Sequence, residues 1–189
     1  LAYDGHSPPK MLEYNADTPT ALLEASVIQW FWLQDRFPKA DQFNSIHEKL
    51  IAAWSDLKPL LKGRLYFSCV QDAPEDLGNI EYLRDTAMQA GLETEQLFVE
   101  DIGYDAVGRQ FVDVNDEVIR TMFKLYPWEW LTSEYFGRYI EPSGIAMIEP
   151  AWKMILSNKG ILPILWELFP GHPNLLRASF DSDGFRDNY

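Results

Sequence analysis

The chain has almost none of the residues that build disulfides, zinc sites or nucleophile–histidine pairs. A single cysteine, Cys69, excludes an internal disulfide and fits a reducing, cytoplasmic location. It ends a mostly apolar run and is interpreted as a buried, inert thiol rather than a nucleophile, because reactive thiols need an electropositive, partly exposed setting. The three histidines lie far apart and give no zinc-binding spacing. Covalent nucleophilic catalysis therefore has no candidate residue.

Several longer patterns are also missing. The chain has no G-x-x-x-x-G-K-[ST] or G-x-G-x-x-G phosphate loop and no G-x-S-x-G nucleophile elbow. It has no uninterrupted run of 18 apolar residues, and no signal-peptide layout opens it. These absences argue against a membrane partner. They also argue against the nucleotide-binding proteins and hydrolases that use these motifs.

Basic residues are scarce relative to acidic ones. The chain has 16 lysines and arginines against 29 aspartates and glutamates, a formal net charge of −13. This balance disfavours a nucleic-acid partner, whose phosphates need basic patches. It would suit a cationic substrate such as a polyamine, but acidic solubility is the simpler explanation of the charge. An apolar content of 47% with seven tryptophans in 189 residues predicts a packed globule with a sizeable core.

Strand and helix patterns alternate through the middle of the chain. Residues 64–70 form a continuous apolar run typical of a central parallel strand, 74–90 a helix with Asp72 as a plausible cap, and 97–101 the next strand. This alternation predicts an α/β fold with an open, largely parallel sheet and flanking helices. Further predicted elements are a hairpin of 110–114 with 118–123, an aromatic-rich helix over 124–140, a strand at 146–150, and helices at 151–156 and 161–169.

The stretch from Lys10 to Glu24 is the strongest candidate site. Residues 10–15 alternate like a strand, which places Glu13 and Asn15 on one face. Two oxygen-bearing side chains at this spacing suit Mg²⁺, although the pattern is also common by chance. The strand is predicted to break at Asp17-Thr18-Pro19, a helix start signal beside free backbone N–H groups that favour anions.

The helix predicted over 20–37 is apolar nearly all the way round, which indicates burial. Glu24 in its first turns would then need a partner, or would serve only to complement the helix dipole. Together with Glu13, Asn15, Thr18 and Thr20 it is predicted to form one site.

A second subsite is predicted after the strand that ends at Val70. Ligands of open α/β sheets gather at strand carboxyl ends, where Gln71, Asp72, Glu75 and Asp76 follow. Their carboxylates could hold an amine by charge-assisted hydrogen bonds. An ordinary acidic helix start is the alternative.

Two segments resemble the glutathionylspermidine synthase family of ATP-grasp acid–amine ligases. One is Glu-Tyr-Asn-Ala-Asp-Thr-Pro-Thr-x-Leu-Leu-Glu-Ala, residues 13–25, and the other is Ser-Asn-Lys-x-x-Leu-Pro-x-Leu-Trp-x-Leu-x-Pro-x-His-Pro, residues 157–173. The resemblance implies that Glu13 and Asn15 bind Mg²⁺. It implies that Thr18, Thr20 and Glu24 contact a glutathione-like acid, and that Lys159 binds ATP. On spacing alone Lys159 would be a solvated turn lysine.

The chain also departs from the family pattern. The family's Arg-x-Asp would lie upstream of Leu1, and its second lysine, in a Lys-Pro strand, would lie beyond Tyr189. The resemblance therefore implies a central fragment that is inactive alone. Residues 1–150 would form a pre-ATP-grasp-like α/β domain for substrate and metal, and residues 151–189 would be the truncated start of the ATP-grasp region.

The sequence thus predicts part of an ATP- and Mg²⁺-dependent ligase. It would form an amide bond between a peptide-like acid and a polyamine-like amine through an acyl phosphate, with Glu75 and Asp76 as candidate amine ligands. Its partners would be small molecules, with no nucleic acid and no membrane. The rival hypothesis is a non-catalytic ligand-binding or structural α/β module.

Overall fold

A computed structural model describes residues 1–182 of the chain. Their internal contacts divide the chain into two compact units. The terminal unit combines Leu1–Asp17 with the chain from Ala151 onward, and the central unit spans Thr18–Pro150. Every named strand of the described residues lies in the central unit.

The central unit is built on an open parallel sheet. Its strands are β1 (Leu65–Cys69), β2 (Thr94–Phe98), β3 (Gly103–Asp105), β4 (Gln110–Val112), β5 (Thr121–Lys124) and β6 (Ala146–Ile148). The main sheet has the order β2-β1-β5-β6 with every pairing parallel, while β3 and β4 form a separate antiparallel pair. This confirms the predicted α/β fold with a largely parallel sheet.

Helices flank the sheet of the central unit and make up the regular structure of the terminal unit. In the central unit they are α1 (Gln29–Arg36), which continues a π-helical stretch over Glu24–Ile28, then α2 (Ile46–Leu57), α3 (Pro74–Gln89), α4 (Trp128–Ser133) and α5 (Ile140–Ser143). Short 3₁₀ segments cover Lys58–Leu60, Val99–Asp101 and Tyr135–Tyr139. The terminal unit contains α6 (Lys153–Ser157) and α7 (Ile161–Leu168), which has Pro163 in its first turn as predicted.

The core of the central unit lies on both faces of β1, whose five residues are all buried. On one face Phe67 stacks on Phe123 with ring centroids 5.6 Å apart, and Trp54 of α2 meets Phe67 edge-on at 5.6 Å. The Trp54 indole N–H donates to the Thr86 hydroxyl at 3.0 Å, so its one polar atom is satisfied inside the core. The other face packs Tyr66 with residues of β2, β4 and β5.

The predicted hairpin of 110–114 with 118–123 forms only next to its turn. There the Asp116 N–H donates to the Asp113 carbonyl, the Asp113 N–H donates to the Glu117 carbonyl, and the Ile119 N–H donates to the Phe111 carbonyl around the antiparallel bridge of Val112 with Val118. Strand β4 pairs instead with β3, and β5 joins the main sheet beside β1. All four residues of β5 are buried, because the sheet centre supplies two packed faces that a hairpin does not.

Two predictions in the first 40 residues are also wrong. Residues 11–15 are extended but form no strand, and Lys10 makes only one bridge, with Ala2. The helical stretch that continues into α1 is exposed rather than buried: α1 has no buried residue, and the side chains of Phe31 and Trp32 are 61% and 55% exposed. An apolar helix surface predicts burial only where a partner surface is available to cover it.

Three further predictions differ from the structure in where an element begins or ends. The strand predicted at 97–101 lies three residues earlier as β2, and 99–101 forms a 3₁₀ turn. Asp72 does not cap α3, which begins at Pro74 with no capping side chain. The aromatic helix predicted over 124–140 is broken into α4 and a 3₁₀ segment, after β5 has taken Lys124.

One structural finding bears on membranes. Among residues 1–182 no helix is both long and apolar enough to cross a lipid bilayer.

Replacing Phe67 tests the core. Phe67→Ala removes a ring that is fully buried against Phe123 and Trp54, so we expect the free energy of unfolding to fall by about 3–5 kcal/mol. Urea unfolding followed by tryptophan fluorescence measures it. Val107→Ala, at a side chain 95% exposed, is the matched control and should change stability by less than about 0.5 kcal/mol. Equal effects of the two substitutions would contradict this description of the core.

Candidate functional site

An extended segment of the terminal unit carries the two predicted metal ligands. It is held at both ends by hydrogen bonds. The Met11 N–H donates to the Asn174 carbonyl at 2.8 Å, and the Ala16 and Asp17 N–H groups both donate to the Ser157 Oγ at 3.0 Å. Ala16 and Asp17 are buried, whereas Glu13 and Asn15 are exposed. The segment therefore presents its oxygen-bearing side chains to solvent from a fixed backbone.

The structure brings two of the predicted site residues together. Lys159 lies in the break between α6 and α7, and its Nζ is 3.3 Å from the Glu13 Oε2. The two side chains are 75% and 48% exposed. An ion pair this exposed contributes less than about 1 kcal/mol, so a bound ligand can separate the two charges at little cost.

The donor chemistry of this segment fits a magnesium ion. Glu13 and Asn15 offer a carboxylate and an amide oxygen, and Mg²⁺ is usually held by one or two protein oxygens together with waters and phosphates. Residues 1–182 contain no group of three or more histidine, cysteine, aspartate and glutamate side chains that could hold a metal alone. The assignment of Glu13 and Asn15 as Mg²⁺ ligands stays a prediction.

The three predicted acid-substrate ligands lie in the central unit. Thr18 is half-buried, Thr20 is exposed, and Glu24 is the exposed first residue of the π-helical stretch. The expectation that Glu24 is a buried carboxylate is therefore wrong. Its exposure leaves it accessible to a ligand, and π-helical stretches occur frequently at functional sites.

The start of this helix is set by a distant residue. Helical structure begins at Leu22 rather than at Asp17-Thr18-Pro19, and Ala21 just before it has φ +60°. The Leu22 N–H donates to the Asn79 Oδ1 of α3 at 3.1 Å. Asn79 thus supplies from another helix the capping acceptor that was expected from the local sequence.

Glu75 and Asp76, the predicted amine ligands, occupy the first turn of α3 directly after β1. Glu75 is exposed and Asp76 is half-buried. Partial burial, followed by the nearby Glu75 charge, raises the pKa of Asp76 above its ordinary value. A bound cation would favour the charged form of Asp76 and relieve this penalty.

The sequence analysis missed a cavity next to the carboxyl ends of β1 and β5. This cavity of about 60 Å³ is largely apolar, and its polar lining residues include Ser68 and Lys124, which are register partners across the two strands. Along the chain, β1 is followed by its neighbour β2 on one side of the sheet, and β5 is followed by its neighbour β6 on the other side. Open α/β sheets bind ligands between two strands whose connections run in opposite directions in this way. The Ser68 hydroxyl is fully buried and has no hydrogen-bond partner among the described residues.

Lys124 is 2% exposed. Its Nζ donates to the Tyr126 carbonyl at 2.8 Å and lies 4.7 Å from the centre of the Trp128 ring. Near it the Tyr126 hydroxyl donates a short hydrogen bond to Glu134, which raises the pKa of Tyr126 to about 12. A lysine directly after the apolar residues Met122 and Phe123 is the available signal, although the aromatic spacing that follows predicts a helix that begins at Lys124.

Cys69 at the end of β1 is buried, and burial raises the pKa of its thiol to about 11, with smaller contributions from nearby acids. The predicted burial of Cys69 is therefore confirmed, and a raised pKa disfavours the reactive thiolate form.

The fold and the site define an open, parallel α/β domain with acidic groups after its central strand. The comparisons with known proteins make this specific. The family profile described as "Glutathionylspermidine synthase preATP-grasp" matches residues 1–189, and the chain belongs to this family.

Three relatives illustrate the match. The chain is 52% identical over 184 residues to a protein of Haemophilus influenzae named as an acid–amine ligase, covering 95% of this chain and 47% of that protein. It is 29% identical to trypanothione synthetase of Crithidia fasciculata, over 91% of this chain and 30% of that protein. It is 28% identical to the bifunctional glutathionylspermidine synthetase/amidase of Escherichia coli, over 90% of this chain and 31% of that protein. The chain thus spans about a third to a half of these relatives.

Removing the Ser157 hydroxyl tests the anchor of the Glu13 segment. Ser157→Ala leaves the buried N–H groups of Ala16 and Asp17 without their acceptor, so we expect the terminal unit to lose about 1–3 kcal/mol of stability. Hydrogen exchange should rise at these two amides. Ser182→Ala, at an exposed position, is the control. Unchanged exchange at residues 16 and 17 would show that Ser157 is not the anchor.

Proposed function

We propose that the chain is part of an ATP- and Mg²⁺-dependent cytoplasmic ligase that joins a peptide-like acid to a polyamine-like amine. Family membership supports a ligase, since the relatives are named as an acid–amine ligase and as synthetases. The single observation that carries the proposal is the approach of Lys159 to Glu13 at 3.3 Å. It pairs a candidate phosphate ligand with a candidate metal ligand within one unit.

Each side chain has a defined part in this proposal. Glu13 and Asn15 would hold Mg²⁺, which when bound neutralises charge on the phosphates. Lys159 would donate to an ATP phosphate as a charged donor, and separation from Glu13 would cost little. Thr18, Thr20 and Glu24 would orient the acid.

The amine would be bound by carboxylates. Glu75 and Asp76 would accept hydrogen bonds from its ammonium, which places two negative charges beside a cationic substrate. The γ-phosphoryl group of ATP would pass to the acid carboxylate, giving an acyl phosphate and ADP. A neutral amino group of the polyamine, distinct from the ammonium held by these acids, would then attack the acyl carbon, release phosphate and lose a proton to form the amide. The protein's contribution is positioning and charge stabilisation rather than covalent chemistry.

The Glu13 role is tested in the full-length protein that contains this chain. ATP hydrolysis should require Mg²⁺, an acid and an amine together, and Glu13→Ala should lower its rate by about 100-fold or more, as expected for loss of a group that stabilises the reacting charges. Coupled ADP release measures the rate. Glu167→Ala, an exposed acid of the same unit, is the control.

The outcome separates the ligase from its rival. No ATP binding by calorimetry in the full-length protein would refute the ligase and favour a non-catalytic module. Loss of the folded circular dichroism spectrum in Glu13→Ala would show that the carboxylate is structural.

Neutralising the acids of α3 tests the amine subsite. Glu75→Gln with Asp76→Asn should raise the KM for the amine by at least about tenfold, the loss expected for one charge-assisted hydrogen bond, and leave the KM values for ATP and acid unchanged. Because the pKa of Asp76 is raised, the amine KM should also rise on acidification, starting at a higher pH than an ordinary aspartate would give. Glu117→Gln, an exposed acid of the same unit, is the control, and equal KM changes in control and variant would exclude this subsite.

A further inference from the structure

A second cavity of the central unit lies away from the carboxyl ends of the strands. It has a volume of about 590 Å³, within the range of small-molecule sites, and is formed by the π-helical stretch, α1, the loop that follows α1 and the first turn of α2. Because all of its walls come from residues 26–48, the cavity is a local feature of one helix–loop–helix segment.

One polar atom in the wall of this cavity, the Gln42 Oε1, is buried and has no hydrogen-bond partner among the described residues. The Ser26 hydroxyl, on a residue 4% exposed, has the Tyr82 hydroxyl as its hydrogen-bonding neighbour, and this contact offsets part of the rise that burial imposes on the Tyr82 pKa. A bound molecule that donates to the Gln42 Oε1 recovers the cost of burying that atom unpaired.

The charged groups of the cavity wall are two carboxylates, Asp41 and Glu48, and Gln42 adds a carbonyl oxygen. His47 also lines the wall, and its Nδ1 is already engaged at 3.2 Å from the Tyr82 hydroxyl. The Asn44 side chain is already used, since its Nδ2 donates to the Ala25 carbonyl at 3.1 Å and its Oδ1 accepts from the Ile46 N–H at 3.2 Å. Among the described residues that line the cavity there is no lysine or arginine. The matching ligand is therefore a cation that carries N–H donors.

Aromatic side chains complete the wall. Trp30, Phe31 and Phe43 line the cavity, and Phe31 and Phe43 are respectively 61% and 104% exposed. Aromatic faces attract ammonium groups and also pack against methylene chains. Metal ions have no such requirement for aromatic carbon, and the described residues contain no cluster of three or more potential metal-binding side chains. The aromatic wall thus favours an organic cation.

We propose that this cavity binds an aliphatic ammonium ion. The ammonium would donate hydrogen bonds to Gln42 Oε1 and to the carboxylates of Asp41 and Glu48, and its methylene groups would pack against the aromatic side chains. The Ser26 hydroxyl, at the middle of the π-helical stretch, would bind the same ligand. The site adds to the proposed ligase function and does not depend on it.

The test uses 1,4-diaminobutane and the full-length protein that contains this chain, by calorimetry at low ionic strength without ATP or Mg²⁺. Asp41→Asn with Glu48→Gln should weaken binding by at least tenfold, and 1,4-butanediol, which has the same length but no charge, should not bind. The control is Asp35→Asn with Glu117→Gln, which makes the same change in net charge at exposed positions outside the cavity wall and should retain the wild-type affinity.

Further variants separate this site from the proposed catalytic groups. Glu13→Ala should bind diaminobutane as the wild type does, so that failure of the ligase proposal leaves this result unaffected. If the bound amine is the ligase substrate, Asp41→Asn with Glu48→Gln will also raise the amine KM, and if it is a separate ligand that KM will not change.

Three results would overturn the proposal. One is equal affinity of the cavity variant and its charge-matched control. Another is loss of binding only in Glu75→Gln with Asp76→Asn, which would assign the diaminobutane to α3. The third is the absence of any binding heat in the wild type at millimolar diaminobutane.

Discussion

The central unit depends on the complete burial of β1. Its five residues are hydrogen-bonded to β2 on one side and β5 on the other, and both of its faces are covered by side chains. A strand in this position has no route to water for its backbone groups, so both neighbours must be in register. The chain after β1 therefore leaves the sheet at a fixed point, and α3 begins there with Glu75 and Asp76 in its first turn.

The same helix ties a second region to the core. Asn79 of α3 accepts the Leu22 N–H and so determines where the helical stretch containing Glu24 begins. That stretch is π-helical, has Ser26 as its buried residue and continues into α1. The exposed aromatic side chains Phe31 and Trp32 of α1 are a cost to the isolated unit. Such costs are typical of surfaces that bind something, and rare where only packing is required.

The candidate site of the terminal unit follows a different principle. Glu13 and Lys159 are largely exposed, and their ion pair adds little to stability. The rigidity lies in the backbone behind them, where the buried amides of Ala16 and Asp17 share the Ser157 hydroxyl as acceptor. A fixed backbone with exposed charged side chains allows these charges to be redistributed without moving the chain.

The local sequence pattern determined those elements whose predictive features lie within a few consecutive residues. The buried run of β1, the helices α3 and α7, and the buried Cys69 were predictable, because continuous apolar runs, helical spacing and Pro163 act within one element. Only the tertiary structure decided which segments pair and which surfaces are covered. It placed β5 beside β1 rather than in a hairpin, capped Leu22 with Asn79, left the α1 surface exposed, and brought Lys159 to Glu13. Each of these depends on residues distant in the chain, whose approach is set by the packing of the whole unit and not by local spacing.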